Sequence, residues 1–136
     1  MPQRAMPANL DAHAAHYWDA LREHRLVLQY CAGCGFVRFP PRSICPECWS
    51  EAFDWREHSG SGRVTSFVWY MKPLDPRFPE VPYNVSLVAL DGGPVLVSNV
   101  VDVAFGNLRI GDRVKARFSD EKPGFTVLLF EPTGIA

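Results

Sequence analysis

The stretch Cys31-Ala32-Gly33-Cys34-Gly35, followed by Cys45-Pro46-Glu47-Cys48, decides how this chain is read. It holds two C-x-x-C pairs separated by residues 35–44. Gly35 after the first pair and Pro46 inside the second are turn residues, and a tight turn aims backbone amides at the thiolates. Two such knuckles, brought together by short strands, form a tetrahedral thiolate cage, the arrangement zinc takes in structural sites. Four thiolates also suit iron. A redox role is the third reading, but thioredoxin-like pairs come singly on a βα unit, whereas two pairs sit here on hairpins. With Cys31, Cys34, Cys45 and Cys48 all serving as ligands, no coordination position is left open. The metal is therefore expected to be structural, replacing a core that so short a segment cannot build alone.

The pattern on either side of the cysteines fills in the fold. Leu26, Leu28 and Tyr30 alternate with Val27 and Gln29 in a short strand. Phe36 to Phe39 reads as the returning strand, which Pro40-Pro41 ends because proline cannot continue a ladder. Phe53 to Arg56 reads as a third strand. Upstream, Leu10, Ala14, Tyr17, Trp18 and Leu21 recur at helical spacing over residues 9–24. Asn9 is the expected N-cap, and Asp11 falls in the first turn, where the macrodipole favours negative charge. Such an amphipathic helix must be covered, either by the rest of the chain or by a partner. Residues 1–9 read as a loose tail.

Downstream, five strand-like runs fill about 70 residues: Val64–Lys72, Tyr83–Leu90, Val95–Val103, Arg113–Ser119 and Phe125–Phe130. The turn Asp91-Gly92-Gly93-Pro94 pairs the second with the third, and a Pro-rich loop from Pro73 to Pro82 separates the first two. Five short strands with glycine turns favour a small closed or nearly closed barrel, because closure removes exposed edges. Strict alternation along the first strand puts Phe67, Trp69 and Met71 on one face and Val64, Val68 and Tyr70 on the other. Both faces are apolar, so either the ribbon and helix or a partner covers the outer one. The expected division is a tail and helix (1–24), a ribbon (25–58) and a barrel domain (59–136), mainly β throughout.

Fourteen basic against fifteen acidic residues, with a pI of about 6.4, leave no overall field for nucleic acid or an anionic membrane. Arg113, Lys115 and Arg117 form the one basic stripe, a thin footprint for a nucleic-acid module. No apolar run approaches the roughly 20 residues of a spanning helix. The first residues lack the apolar core of a secretory signal. A cytoplasmic location is expected, where thiols stay reduced and four cysteines point to metal. No catalytic residue stands out. There is no Gly-x-Ser-x-Gly elbow, and Ser59-Gly60-Ser61-Gly62 lacks the Lys-Ser/Thr ending of a phosphate loop. His13 and His16, three apart, read as surface histidines more readily than as a ligand pair.

The order of these signals resembles one family. It comprises Tyr17-Trp18 on a helix, Leu26-x-Leu28-Gln29-x-Cys31, Cys34-Gly35, Phe39-Pro40-Pro41-Arg42, Cys45-Pro46-x-Cys48, Ser59-Gly60-x-Gly62, Val81-Pro82-Tyr83 and Gly111-Asp112-x-Val114. Over residues 15–132 it looks like the acyl-CoA-associated proteins of a long-uncharacterised domain family, with a rubredoxin-like zinc ribbon and an OB-fold. The resemblance implies a five-stranded OB-fold barrel and a non-catalytic accessory subunit of a thiolase-like acyltransferase or aldolase, or of a MaoC-like hydratase. It also implies a share in enclosing the acyl-CoA thioester. The leading helical part is short here, and the chain is expected to be free-standing rather than fused to a hydratase domain, so the partner is expected in trans. If CoA phosphates meet this subunit, Arg38 and Arg42 near the ribbon and Lys72 and Arg77 on the Pro-rich loop are the candidate contacts. Tyr17, Trp18, Phe67 and Trp69 are the candidate partner interface. The competing reading is a single-stranded nucleic-acid module, since zinc ribbons and OB-folds both serve that role.

Overall fold

A computed structural model describes residues 10–77, 79–121 and 124–134. The tail and Asn9 lie outside the described residues, as does Phe78 of the Pro-rich loop. Helix α1 (Ala12–Arg22) starts later than its apolar spacing suggests, because Asp11 is its N-cap and accepts the Ala14 amide at 2.8 Å. An ionised cap both satisfies that donor and faces the positive end of the helix.

The ribbon is a three-stranded antiparallel sheet in the order β2-β1-β3, made of β1 (Val27–Cys31), β2 (Val37–Arg38) and β3 (Phe53–Glu57). β2 keeps only two residues because Pro40 follows Phe39. β4 (Ser61–Tyr70), β5 (Tyr83–Leu90), β6 (Val95–Ser98), β7 (Arg113–Glu121) and β8 (Phe125–Pro132) form a second sheet in the order β6-β5-β4-β7-β8. Its two edges meet beyond β6, which stops at Ser98, short of the expected Val103. Val100 forms a parallel bridge with Phe130. Val101 donates its amide to the Phe130 carbonyl at 2.7 Å, and the Phe130 amide reaches Asn99 at 3.1 Å. The buried Asn84 side chain holds this crossing in place: Nδ2 donates to the Val100 carbonyl (2.8 Å), and Oδ1 accepts the Val100 amide (2.9 Å). The resulting circuit, β4-β5-β6-β8-β7-β4, is a five-stranded barrel closed by one parallel contact.

One expectation about β4 is corrected. Its register with β5 shifts between Val64 and Ser66, a bulge at Thr65. The extra residue reverses the alternation, so Val64 shares the inner face with Phe67 and Trp69, and Val68 turns outward. Val64, Val88, Leu96, Val100, Val114 and Phe130 fill the barrel, and Tyr17, Leu21, Leu26 and Leu28 from the helix and ribbon join the same core. Each such side chain contributes about 1.5–3 kcal/mol on burial.

The helix is the wedge between the two parts. Tyr17 packs edge-on against Phe39 of the ribbon (5.2 Å), and Trp18 against Phe125 of β8 (6.3 Å). His13 stands on Phe53 and His16 stacks on Trp55 at 4.4 Å, so both histidines pack on β3, and among the described residues neither belongs to a cluster of three or more metal-ligating side chains. His58 clasps the ribbon to the barrel. Its amide donates to Leu26, just ahead of β1 (2.8 Å), its Nδ1 accepts the Gly60 amide (2.9 Å), and its Nε2 therefore carries the hydrogen it donates to the Asp91 carbonyl (2.7 Å).

Candidate metal centre and docking face

The two knuckles repeat one hydrogen-bond pattern. In the first, the Cys31 amide donates to Phe36 (2.9 Å), Gly35 donates to the Cys31 carbonyl (2.9 Å), and Gly33 donates to the Cys31 sulfur (3.3 Å). In the second, the Cys45 amide donates to Ser50 (2.9 Å), Trp49 to the Cys45 carbonyl (2.9 Å), and Glu47 to the Cys45 sulfur (3.4 Å). The pattern puts Trp49 where the first knuckle has Gly35. Both adopt a left-handed backbone, at φ +68° and +80°. Glycine takes that conformation freely; a tryptophan does not.

The four sulfurs lie within 4.8 Å of one another, with Cys31–Cys48 at 3.5 Å and Cys34–Cys45 at 3.7 Å. A tetrahedron with metal–sulfur bonds of about 2.3 Å has edges of about 3.8 Å, so the side chains already stand in a metal-binding geometry. Their acidities divide the same way in each knuckle. The Cys34 amide, helped by the Gly33 amide and acting against burial, holds the Cys31 thiol down at about 6, and Cys45 is also lowered. Cys34 is pushed up to about 12: the Phe36 amide lowers it, but burial and the three neighbouring sulfurs outweigh that donor. Cys48 is raised too, chiefly by the adjacent Cys31 sulfur acting against the Ser50 amide. Four thiolates so close together cannot all carry charge unless a cation sits among them. An all-sulfur donor set with no fifth protein ligand fits a closed structural site.

The expected phosphate contacts do not converge. Arg38 is only 1% exposed, and its Nε is held by Gln29 Oε1 and the Arg42 carbonyl, each at 3.1 Å. Arg42 is exposed beside it, and its amide also reaches Gln29 Oε1 (2.8 Å). Lys72 and Arg77 are exposed on the Pro-rich loop, with Arg77 paired to Asp75 at 2.7 Å. A groove of about 400 Å³ runs between Phe36–Phe39 and the β5–β6 turn, and one of about 320 Å³ lies between Trp18 and β6–β8. None of the four cations lines either groove.

The expected interface aromatics are packed by the chain itself. Tyr17 is buried, and Trp18, Phe67 and Trp69 pack against the core. What turns outward is a set of aliphatic residues that strand pairing makes contiguous. Val68 lies opposite Val85, Leu87 opposite Val97, and Ala89 opposite Val95. Val97 is 69% exposed, with Val68, Leu87 and Val95 also open to solvent. None of the six carries charge; Arg63, opposite Ala89, closes one end. Sequence reasoning missed this face because the bulge that turns Val68 outward is not written in the alternation. The opposite wall of the barrel is charged but self-neutralised. Arg113 pairs with Asp91 (2.8 Å), Lys115 with Glu131 (3.6 Å), and Arg117 with Asp102 and Glu131. No helix among the described residues is long and apolar enough to cross a membrane.

Comparison with known proteins agrees with this architecture. Residues 18–54 match the family described as "ChsH2, rubredoxin-like zinc ribbon domain", and residues 55–119 match "ChsH2, C-terminal OB-fold domain". A probable enoyl-CoA hydratase alpha subunit of Thermomonospora curvata is 37% identical over 129 residues. That covers 95% of this chain but 40% of the relative, so the chain spans well under half of that protein's length. A DUF35 domain-containing scaffold protein of Methanothermobacter thermautotrophicus is 35% identical over 98 residues, 71% of this chain and 74% of its own. Among solved structures, a chain of an Ltp2-ChsH2(DUF35) aldolase superposes with a TM-score of 0.83 at 36% identity, covering 93% of this chain and 98% of that one.

Proposed function

This chain belongs to the ChsH2 family, in which a rubredoxin-like zinc ribbon precedes an OB-fold, and from that premise we propose a non-catalytic accessory subunit. It docks on a thiolase-like acyltransferase or aldolase, or on a MaoC-like hydratase, and helps enclose that enzyme's acyl-CoA thioester. The metal in the ribbon is zinc in a structural role, held by Cys31, Cys34, Cys45 and Cys48. The assembly works in the cytoplasm, where these thiols stay reduced. Arg42 and Lys72, which stand exposed, are the candidate contacts for CoA phosphates; Arg77 is exposed but engaged with Asp75, and Arg38 is enclosed.

The observation that carries the reading is the outer face of β4–β6. Ligands of OB-folds bind on the faces of the second and third barrel strands, here β5 and β6. A single-stranded nucleic acid would need cations and stacking aromatics at that place. Val68, Leu87, Val95 and Val97 stand there instead, and the cations of the basic stripe on β7 are already paired. An uncharged aliphatic face fits an apolar protein surface. The family's scaffold members, and the aldolase complex that superposes on this chain, support a protein partner.

The test is affinity purification of the tagged chain from its native host at moderate salt, with mass spectrometry, beside the double variant Val68→Asp/Val97→Asp. The wild type is expected to bring down a stoichiometric thiolase-like or hydratase-like enzyme, and the variant to lose it without a change in its own melting temperature. A variant that retains the enzyme refutes docking through this face. Recovery of nucleic acid with no such enzyme refutes the accessory reading.

A further inference from the structure

Arg38 is the fully buried charged side chain among the described residues. Removing a guanidinium from water is expensive unless a counter-charge and hydrogen-bond acceptors replace the solvent. Nε has acceptors, but among the described residues Nη1 and Nη2 have none, and neither does the Nε2 of the equally buried Gln29 beside them. No carboxylate pairs with Arg38 among the described residues: Asp54 is engaged with Arg56, and Glu57 with Arg25.

The register shows where the charge lies. Arg38 on β2 faces Gln29 on β1, and Phe53 on β3 faces Cys31 on β1. Side chains at 29 and 31 point to one face of the ribbon. The Arg38 guanidinium sits 4.8 Å over the Phe53 ring, so its side chain crosses β1 between Gln29 and Cys31. Strand spacings put it within roughly 10 Å of the Cys31 sulfur. Four thiolates around a divalent ion carry a net charge of −2; Glu57, which shares that face of β3, is already engaged with Arg25.

We propose that Arg38 is the electrostatic counter-charge of the metal–thiolate centre, a positioning residue that tunes the cage from across the same face of the ribbon without ligating the metal. The proposal rests on the zinc reading of the four cysteines. It explains why a cation is kept buried without a carboxylate, and why its Nε is anchored by Gln29 while the rest of the guanidinium is left to face the aromatic ring and the cage.

The test uses the full chain and two readouts: zinc affinity by chelator competition, and the energy of the thiolate-to-metal charge-transfer band with cobalt(II) in place of zinc. Arg38→Met is expected to weaken zinc binding by about 10- to 100-fold, the range for outer-shell partners. It should also move the cobalt band to lower energy, because thiolates without a nearby cation give up electrons more readily. Arg38→Lys, which keeps the charge, should stay close to wild type in band position. Gln29→Glu leaves Arg38 in place but neutralises it with an adjacent carboxylate, and should shift both readouts as Arg38→Met does. It decides the question if Arg38→Met does not fold. An unchanged band in both charge-removing variants overturns the proposal, as does a band in Arg38→Lys that matches Arg38→Met. A wild-type chain that takes up neither zinc nor cobalt refutes the metal reading itself, a separate failure.

Discussion

Replacing Gly60 with alanine strikes the seam between ribbon and barrel, and the structure allows its effect to be worked out in parts. Gly60 has φ +82°, a conformation in which an L-residue is disfavoured by about 1–2 kcal/mol. Alanine's smaller unfolded-state entropy returns about 0.4–1 kcal/mol of that. The new Cβ would stand 2.5 Å from the Cβ of Ala116, where carbon atoms pack comfortably at about 3.5–4 Å. Opening that gap by about 1 Å strains the hydrogen bond from the Ala116 amide to the Gly60 carbonyl (2.9 Å), whose net worth is about 0.5–1.5 kcal/mol. Together with the overpacking, the loss comes to about 2–4 kcal/mol, or a fall in melting temperature of roughly 10 °C for a chain of this size. Urea unfolding of the zinc-loaded protein, followed by tryptophan fluorescence, measures it. The double variant Gly60→Ala/Ala116→Gly removes the clash but keeps the φ penalty, so a favourable coupling of about 1–2 kcal/mol is expected from the cycle. A single variant within about 0.5 kcal/mol of wild type, or a cycle with no coupling, refutes the close approach on which the sum depends.

Three further outcomes follow from the geometry. Cys45→Ser should abolish stoichiometric zinc and expose residues 25–58 to protease while the barrel strands keep their protection from hydrogen exchange; a zinc-free variant with an intact ribbon contradicts a structural site. Trp49→Gly should stabilise the second knuckle by about 1 kcal/mol or less, since relief of left-handed strain exceeds glycine's entropic handicap only slightly; a clear loss of stability would show that the 80% exposed indole contributes within the chain. The Arg113 guanidinium, through its hydrogen bonds, holds the Asp91 carboxyl below its ordinary value. The ionised form is thus favoured by folding, and the stability it confers is present above the unfolded pKa and lost as pH falls through the folded one. Asp91→Asn should therefore lower the denaturation midpoint at near-neutral pH and match wild type in strong acid; a gap that is constant with pH would remove Asp91 as its source.

The cluster of four cysteines was legible because everything it needs is local: two C-x-x-C pairs, a turn glycine and a turn proline. Strand pairing was legible wherever a turn stood between partners, as at Asp91–Pro94. What escaped depends on contacts distant in sequence. The Thr65 bulge is set by the register of β4 against β5, and it alone decides that Val68 meets solvent while Phe67 and Trp69 turn inward. The early end of β6 depends on Asn84, sixteen residues upstream of Val100. Arg38 looks in the sequence like any surface cation, and only the crossing of β1 toward Phe53 reveals it as buried. The basic stripe was visible, but its neutralisation by Asp91, Asp102 and Glu131, residues from three separate segments, was not.

The clasp at His58 makes the molecule behave as a pair of calipers with a locked joint. Three bonds from one residue tie the start of β1, the entry to β4 and the β5–β6 turn together, and ribbon and barrel share one core. A surface that touches both the knuckle bearing Trp49 and the aliphatic face of β4–β6 meets two jaws at a set opening. A partner whose shape matches that span meets both without a change in this chain. Loosening one jaw, by stripping metal from the cysteines, would therefore be felt as a loss of fit at the other.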